Sequence, residues 1–132
     1  RAIRSATERR RQVERDGTKW IDNRGKTYWL ATDLNSQQKT VGQLAMITHG
    51  IATGSQHWKV DAITEATEEF DGEVETYEVR TPEFRPTTHA EFKSMATAIK
   101  EHIEKCFAAE AVVIRMAGLG VYTDFDTEFA KL

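Results

Sequence analysis

The strongest constraint on the fold is a helix signal in the second half of the chain. Thr88-x-x-Glu91 is a capping box, in which the Thr hydroxyl and the Glu carboxylate each accept from a backbone amide where a helix begins. Apolar residues then repeat at steps of three and four from Phe92 to about Met116, and two glycines, the first at Gly118, close the pattern. At 1.5 Å per residue this helix is about 40 Å long, which is more than a small domain needs to cover its own core. Part of it is expected to contact a neighbouring chain.

Composition places the chain among ordinary soluble domains and removes several classes of protein. Of its 132 residues, 39% are hydrophobic and 30% are charged, with 18 Lys+Arg against 21 Asp+Glu. No run approaches the roughly 18 consecutive apolar residues of a membrane helix, and the first residues lack the apolar core of a signal peptide. The single Cys106 cannot form a disulfide within the chain. The net charge of −3 gives no general reason to bind nucleic acid or an anionic membrane.

Charge is unevenly distributed along the sequence. Residues 1–15 hold six Arg against two Glu, whereas residues 65–83 hold eight acidic residues against one Arg. Segments of such opposite charge can pair with each other. The basic segment lacks the Lys, Gly and stacking aromatics typical of a nucleic-acid arm, which favours a solvated helix. We therefore predict a basic helical lead-in over residues 1–16 and a single domain over residues 17–132. The candidate basic contact residues are Arg4, Arg9, Arg10 and Arg11.

Residues 18–30 carry the pattern of a tight β-hairpin. Two short runs flank a turn at residues 22–25, where Gly25 supplies the left-handed conformation that a type I turn with a bulge requires. Tyr28 and Trp29 point to opposite faces of the second strand, so at least one ring must contact more than a one-sided core. Two short strands are marginally stable alone. The hairpin is therefore expected to pack on the helices that follow.

A helix and a second hairpin are predicted for the middle of the chain. Asp33 is one of several good N-cap residues here, apolar residues then recur at helical spacing for about 17 residues, and Gly54 offers a C-terminal stop. Extended runs over residues 57–62 and 74–80 predict the second hairpin, with a long, charged connection. The acidic residues in that connection lack the order of a calcium loop. A solvated, mobile loop is favoured over a cation site.

The residues capable of nucleophilic or metal chemistry do not assemble into a recognisable site. His102 and Cys106 share an i, i+4 spacing, but zinc needs three or four ligands and the sequence offers no second pair. A catalytic thiol needs a lowered pKa, yet Cys106 lies on the apolar stripe of the long helix. A helix-face His beside a buried thiol is favoured over a metal site or a small hydrolase. We predict no catalytic residue, metal or cofactor, and we expect Asp126 to N-cap a short helix over residues 127–132.

The aromatic residues leave two interpretations open. Rings at Trp20, Tyr28, Trp29 and Trp58 could stack on a sugar if their faces were exposed. In a small domain such rings more often form the core under a hairpin. The core interpretation is favoured, and the ligand platform is kept as an alternative.

Several segments, taken in order, resemble a known protein family. They are an Arg-rich helix ending near Gly17, the hairpin from Trp20 to Tyr28, a helix with Leu44-Ala45 and Gly54, a strand with Trp58-Lys59, and a closing helix with Met95-Ala96-Thr97-Ala98-Ile99, His102-Ile103 and Cys106-Phe107-Ala108-Ala109-Glu110-Ala111. This order resembles a small tailed-bacteriophage family of unknown function, whose members occur in or at the ends of tail-fibre, baseplate and other tail-associated proteins. The resemblance covers about residues 1–122 without the acidic segment. Residues 63–85 are an expanded version of a turn that is short in the family pattern.

The resemblance implies a virion or assembly role without catalysis. The expected function is a non-enzymatic structural or adaptor protein of the phage tail, made in the host bacterial cytoplasm and bound to other tail proteins. The alternative is a tail-fibre assembly chaperone, or a module that binds a host glycan or receptor through surface aromatics. A homo-oligomer is expected, with a trimer favoured because tail fibres commonly are trimers. Neither nucleic acid nor membrane is an expected partner.

The predicted fold class is α+β. It consists of an N-terminal helix, two β-hairpins, two main packed helices of which the second is long, and a short C-terminal helix. The candidate interface residues lie on the aromatic hairpins and the long helix, and they are Trp20, Tyr28, Trp29, Trp58, Phe92, Ile99, Ile103 and Phe107.

Overall fold

The computed structural model describes residues 1–51 and 56–132. The elements are α1 (Ala2–Asp16), β1 (Thr18–Ile21), β2 (Thr27–Leu30), α2 (Leu34–Thr48), β3 (Gln56–Phe70), β4 (Glu73–Thr87), α3 (His89–Gly118) and α4 (Phe125–Ala130). The strands form one antiparallel sheet in the order β1-β2-β3-β4. The predicted α+β class, with its N-terminal helix, two hairpins, long helix and short C-terminal helix, is confirmed.

The first half of α3 packs on one face of the sheet, which we call the inner face. Met95 and Ile99 meet the inward side chains of both hairpins in a single buried cluster. Trp58 adds an edge-to-face contact with Phe92, with the ring centroids 4.8 Å apart. The sheet residues of the cluster are Trp20, Tyr28, Leu30, Val60 and Ala62.

The second half of α3 packs on α1 and α4. Ala109 is fully buried against this group, and Ala6 of α1 is 2% exposed. Two such small residues allow neighbouring helices to approach closely. Phe125 of α4 is buried in the same cluster and stacks on Phe129, so the short helix covers the end of the core. The N-terminal helix is therefore part of the core.

A buried cation joins the two hairpins to the start of α3. The guanidinium of Arg85 donates to the carboxylates of Asp22, at 3.2 Å, and Glu91. It also lies 5.3 Å from the ring centroids of both Trp20 and Tyr28. Arg85 holds the pKa of the Glu91 carboxyl down at about 2, with help from the Thr88 backbone amide. This ion cluster holds the end of β4 and the start of α3 against the turn between β1 and β2.

Several local predictions are confirmed by the backbone. The capping box is present, because Thr88 accepts from the Glu91 amide and Glu91 accepts from the Thr88 amide. The first hairpin pairs Ile21 with Thr27 around the predicted turn, and Gly25 has a φ of 80°. These features depend on contacts within a few residues, which is why sequence reasoning finds them.

The prediction of a long, charged connection in the second hairpin was wrong. The acidic residues continue both strands, and every position from Gln56–Phe70 is paired with one from Glu73–Thr87. The turn is only Asp71-Gly72, with φ values of 52° and 77°, as a two-residue type I′ turn requires. The expected solvated, mobile loop is therefore a regular two-stranded ribbon.

Two helix boundaries differ from the predictions. Asp124, rather than Asp126, caps α4 by accepting from the Thr127 amide at 2.8 Å, which brings Phe125 into the first turn. α2 ends at Thr48, earlier than predicted, and the proposed stop at Gly54 lies outside the described residues. The predicted end of the long helix is confirmed, because α3 ends at Gly118.

Candidate functional site

The most prominent surface feature is a protruding β-ribbon made by residues 63–80, which we call the arm. β2 pairs with β3 at only two positions, the further one joining Tyr28 to Ala62. Beyond that point β3 and β4 pair only with each other among the described strands. Side chains along most of the arm are exposed on both faces, with Phe70 at its tip 80% exposed. The arm is therefore a two-stranded ribbon that is open to solvent on both faces along most of its length.

Two contacts fix the base of the arm on the outer face of the sheet. Lys19 donates to the Glu78 carboxylate at 2.7 Å, and this hydrogen bond lowers the pKa of Glu78. The Arg80 guanidinium lies over the Trp29 ring, 3.8 Å from its centroid. The Trp29 indole also donates to the Asp16 carbonyl at 3.0 Å. The direction in which the arm leaves the sheet is set by these contacts.

Like charges face each other across the arm. Glu65 pairs with Glu78, and Glu68 pairs with Glu75, so that two rungs of the ladder place carboxylates directly opposite each other. Residues 63–80 include seven acidic residues and one Arg, a formal charge of −6. Directly opposed like charges destabilise a strand pair, and an isolated two-stranded ribbon is marginal in water. The electrostatics of the arm therefore favour a cationic partner.

Of the four basic candidates, two pair with residues of other helices and two remain exposed. Arg10 pairs with Glu14 and Glu110, each at 2.6 Å, and it covers the Phe107 ring. Burial opposes the charge of Arg10, but these two carboxylates raise its pKa. Arg9 donates to Asp126 of α4 at 2.9 Å. Arg4 and Arg11 remain exposed on the outer side of α1.

The aromatic and apolar candidates do not form one surface. Trp20, Tyr28 and Ile99 are buried in the cluster between the sheet and α3, where Trp20 donates to Ser94 at 3.0 Å. Phe92 is buried against Trp58. Trp29 and Trp58 are partly exposed. Phe107 is 50% exposed, and Ile103 lines an apolar groove between α2 and α3 together with Val41 and Leu44. Of the sequence-predicted set, the side chains that reach solvent are Trp29, Trp58, Ile103 and Phe107.

The arm was missed as a site because the residues between the two predicted strands, 63–73, were expected to form a solvated loop, although residues 74–80 were predicted to be extended. The available signal was Asp71-Gly72, a dipeptide that strongly favours a two-residue hairpin, with Val74 and Tyr77 at strand-like positions after it. Acidic residues are depleted in strands, which masked that signal.

Cys106 and His102 lie side by side in the second core. The distance from Cys106 Sγ to His102 Nε2 is 3.8 Å, and the same Nε2 lies 2.8 Å from the Val13 carbonyl oxygen. Because a carbonyl only accepts, Nε2 carries a hydrogen and is not free to take the thiol proton. Burial raises the pKa of Cys106 to about 11. This geometry is that of a structural pair.

We expect Cys106 in the folded protein to resist alkylation. Its side chain is fully buried, and a pKa raised from 9.0 to about 11 lowers the thiolate fraction at pH 8 by about 100-fold. Iodoacetamide labelling followed by intact mass should be slow for the native chain and rapid for the same chain in urea. Equal rates in the two conditions would contradict this description of the site.

The described part of the chain has neither a metal-binding cluster nor a helix that could span a membrane. Within residues 1–51 and 56–132, no group of three or more His, Cys, Asp or Glu side chains is arranged to hold a metal ion. The helices of that part are too short or too polar to cross a membrane.

Comparisons of the chain with protein-family models, with curated proteins and with solved structures find no match.

Proposed function

We propose that this chain is a non-enzymatic structural or adaptor protein of a bacteriophage tail, which contacts a neighbouring subunit through its arm. The tail context rests on the resemblance of the ordered segments to the phage family. On this proposal the chain is a component of the virion, with other tail proteins as partners, after synthesis in the host cytoplasm. The observation that carries the contact is the arm itself.

Three properties of the arm support a role in assembly. It extends beyond the core, so that shortening it removes no buried side chain of either core cluster. Its tip exposes Phe70 and Val74, which are 80% and 66% exposed. Its opposed carboxylates make the free ribbon electrostatically unfavourable, and a cationic subunit would relieve that repulsion. A surface with these properties gains stability when it is covered.

An arm-deleted variant tests this proposal. Replacing residues 65–78 by Asn-Gly joins Thr64 to Val79, which already face each other across the ladder, through a favoured two-residue turn. We expect the variant to fold, with an unfolding temperature within a few degrees of the parent, and to be lost from the virion. Mass spectrometry of purified phage particles measures its incorporation.

The control is a surface variant on α3, Glu101→Ala with Glu104→Ala, which should enter virions as the parent does. If the parent chain is present in infected cells but absent from purified virions, the proposed structural role is wrong. The assembly-chaperone alternative is then favoured. If the arm-deleted chain enters virions in parental amount, the arm is not the contact. Either result counts against the proposal.

A further inference from the structure

The inner face of the sheet continues into the arm without its covering helix. Over the base of the sheet, Val60 and Ala62 on this face are buried under α3. Beyond Ala62, alternation along the strands places on the same face the opposed pairs Ala66–Tyr77, Glu68–Glu75 and Phe70–Glu73. Tyr77 is 47% exposed and the acidic members are exposed. A sheet face that carries apolar side chains is normally covered by a second layer.

The acidic residues of this face have no cation within reach in the described chain. Glu78 on the outer face pairs with Lys19, but the salt bridges among residues 1–51 and 56–132 include none to Glu68, Glu73 or Glu75. The uncovered face is therefore both partly apolar and anionic. The layer that fits it is a helix with exposed cations.

α1 presents such a helix on its outer side. Arg4, Arg11 and Arg15 are exposed and fall on one stripe together with Glu8, whose carboxylate lies 3.7 Å from Arg4. The cations of this stripe that form no salt bridge within the described residues are therefore Arg11 and Arg15. Arg11 and Arg15 have Cα atoms about 6 Å apart along the helix axis. Glu73 and Glu75, two positions apart on one strand and on the same face of the ribbon, have a similar spacing of about 7 Å. The two patterns carry opposite charges at similar spacings.

We propose that the inner face of the arm binds the outer side of α1 from a second copy of this chain. The inference rests on the proposed function, because it names the subunit that the arm contacts. The acidic charge of the arm disfavours nucleic acid and anionic membrane as occupants. Arm and helix are different patches, so the contact is head-to-tail: it closes into a ring if the rotation between copies allows, and otherwise it continues as a fibre. A three-fold rotation gives the trimer expected from the family resemblance.

Paired charge reversals test this contact in solution. One variant carries Glu73→Lys and Glu75→Lys on the arm, and the other carries Arg11→Glu and Arg15→Glu on the helix. Alone, each variant has like charges at the interface, and we expect self-association about 100-fold weaker than that of the parent. Mixed in equal amounts, the lysine arm meets the glutamate helix while the parental faces of the two variants also match. The mixture should therefore associate again wherever the two variants alternate. A closed ring of three retains one like-charge contact, so for a trimeric parent we expect pairs of unlike variants, and for an even-numbered ring or a fibre we expect the mass of the parent oligomer.

Light scattering over a concentration series measures the mass of the particles in each sample, and circular dichroism checks that each variant is folded. The control variant Glu101→Lys with Glu104→Lys has the same change in net charge as the arm variant and should associate as the parent does. The parent oligomer should also weaken at high salt, because exposed charge pairs are screened.

Several results would overturn the inference. They are a parent that is monomeric at every concentration, single variants that associate like the parent, a control variant that also dissociates, or a mixture that stays monomeric. A monomeric parent whose arm is still required for entry into virions would leave the proposed function in place. The partner of the arm would then be a different, basic tail protein.

Discussion

Arg85→Ala should lower the free energy of unfolding by about 3–5 kcal/mol, since it removes one partner of a buried ion cluster and leaves the others unpaired. The Arg85 side chain is 11% exposed, and that of Asp22 is 4% exposed. Without the guanidinium, the Asp22 and Glu91 carboxylates are held close together beside the aromatic core. Urea unfolding at neutral pH, followed by tryptophan fluorescence, measures the loss.

The same variant should alter the acid sensitivity of the fold. The pKa of Glu91 is lowered from 4.5 to about 2, with Arg85 as the largest cause. A carboxyl whose folded pKa is depressed stabilises the protein fully above its unfolded pKa and loses that contribution as pH falls through the folded value. The parent should therefore lose stability between about pH 4.5 and pH 2, and the variant should lose less over that range.

Lys26→Ala is the control for the Arg85 prediction. Its ammonium lies 3.7 Å from the Glu83 carboxylate, and both side chains are more than one-third exposed. Removing such a surface pair should change the free energy of unfolding by less than about 1 kcal/mol. If Arg85→Ala were as mild as Lys26→Ala, the ion cluster would not hold the hairpins to α3.

Gly17→Ala should destabilise the fold by about 3 kcal/mol, through backbone strain and a steric clash together. Gly17 has a φ of 106°, a conformation that side chains with a Cβ rarely adopt. A Cβ placed there would overlap the Trp29 indole and would lie 2.7 Å from the Leu30 carbonyl oxygen. The indole would have to leave its hydrogen bond to Asp16 and its place under Arg80. Thermal unfolding measures the loss of stability.

Gly25→Ala is the control, because it introduces backbone strain without a steric clash. Gly25 has a φ of 80°, but a Cβ there meets nothing within 4 Å. Only the strain of about 1–2 kcal/mol applies to this variant. A Gly17→Ala variant no less stable than Gly25→Ala would mean that the Trp29 ring moves aside freely, and the described anchoring of the arm would be wrong.

The confirmed elements were predictable because their signals are local. The capping box at Thr88 and Glu91 acts within one turn, and the apolar stripe of α3 follows the period of a helix. Gly25 marks the first turn by its own backbone freedom. Such features depend on neighbours in sequence, so composition and spacing are enough to find them.

The start of α4 shows where local signals are ambiguous. Asp124 and Asp126 are both good N-cap residues, and sequence spacing does not separate them. Starting the helix at Phe125 places that ring and Phe129 four residues apart on one face, where they stack and where Phe125 enters the second core. Burial of the ring decides the cap.

The candidate site was predictable only in part. The charge pattern showed an acidic segment and a basic helix of opposite sign, but their exposure depends on what covers them. Arg10 looked like a contact residue, yet it pairs with Glu14 one turn further along α1 and with Glu110 of α3, a helix that meets α1 only in the fold. For Trp20 and Tyr28 the core interpretation was favoured over a ligand platform, and the position of α3 places both side chains inside.

By itself, the sequence determined the helices, the first hairpin and the opposite charges of two segments, because each depends on residue type and short-range spacing. Only the tertiary structure decided that residues 63–80 form a paired ribbon with an uncovered face. Strand pairing over that length depends on register, and coverage depends on where α3 ends its contact with the sheet. Both depend on residues that are far apart in sequence, because the packing of α3 determines which part of the sheet is covered and which part stays exposed.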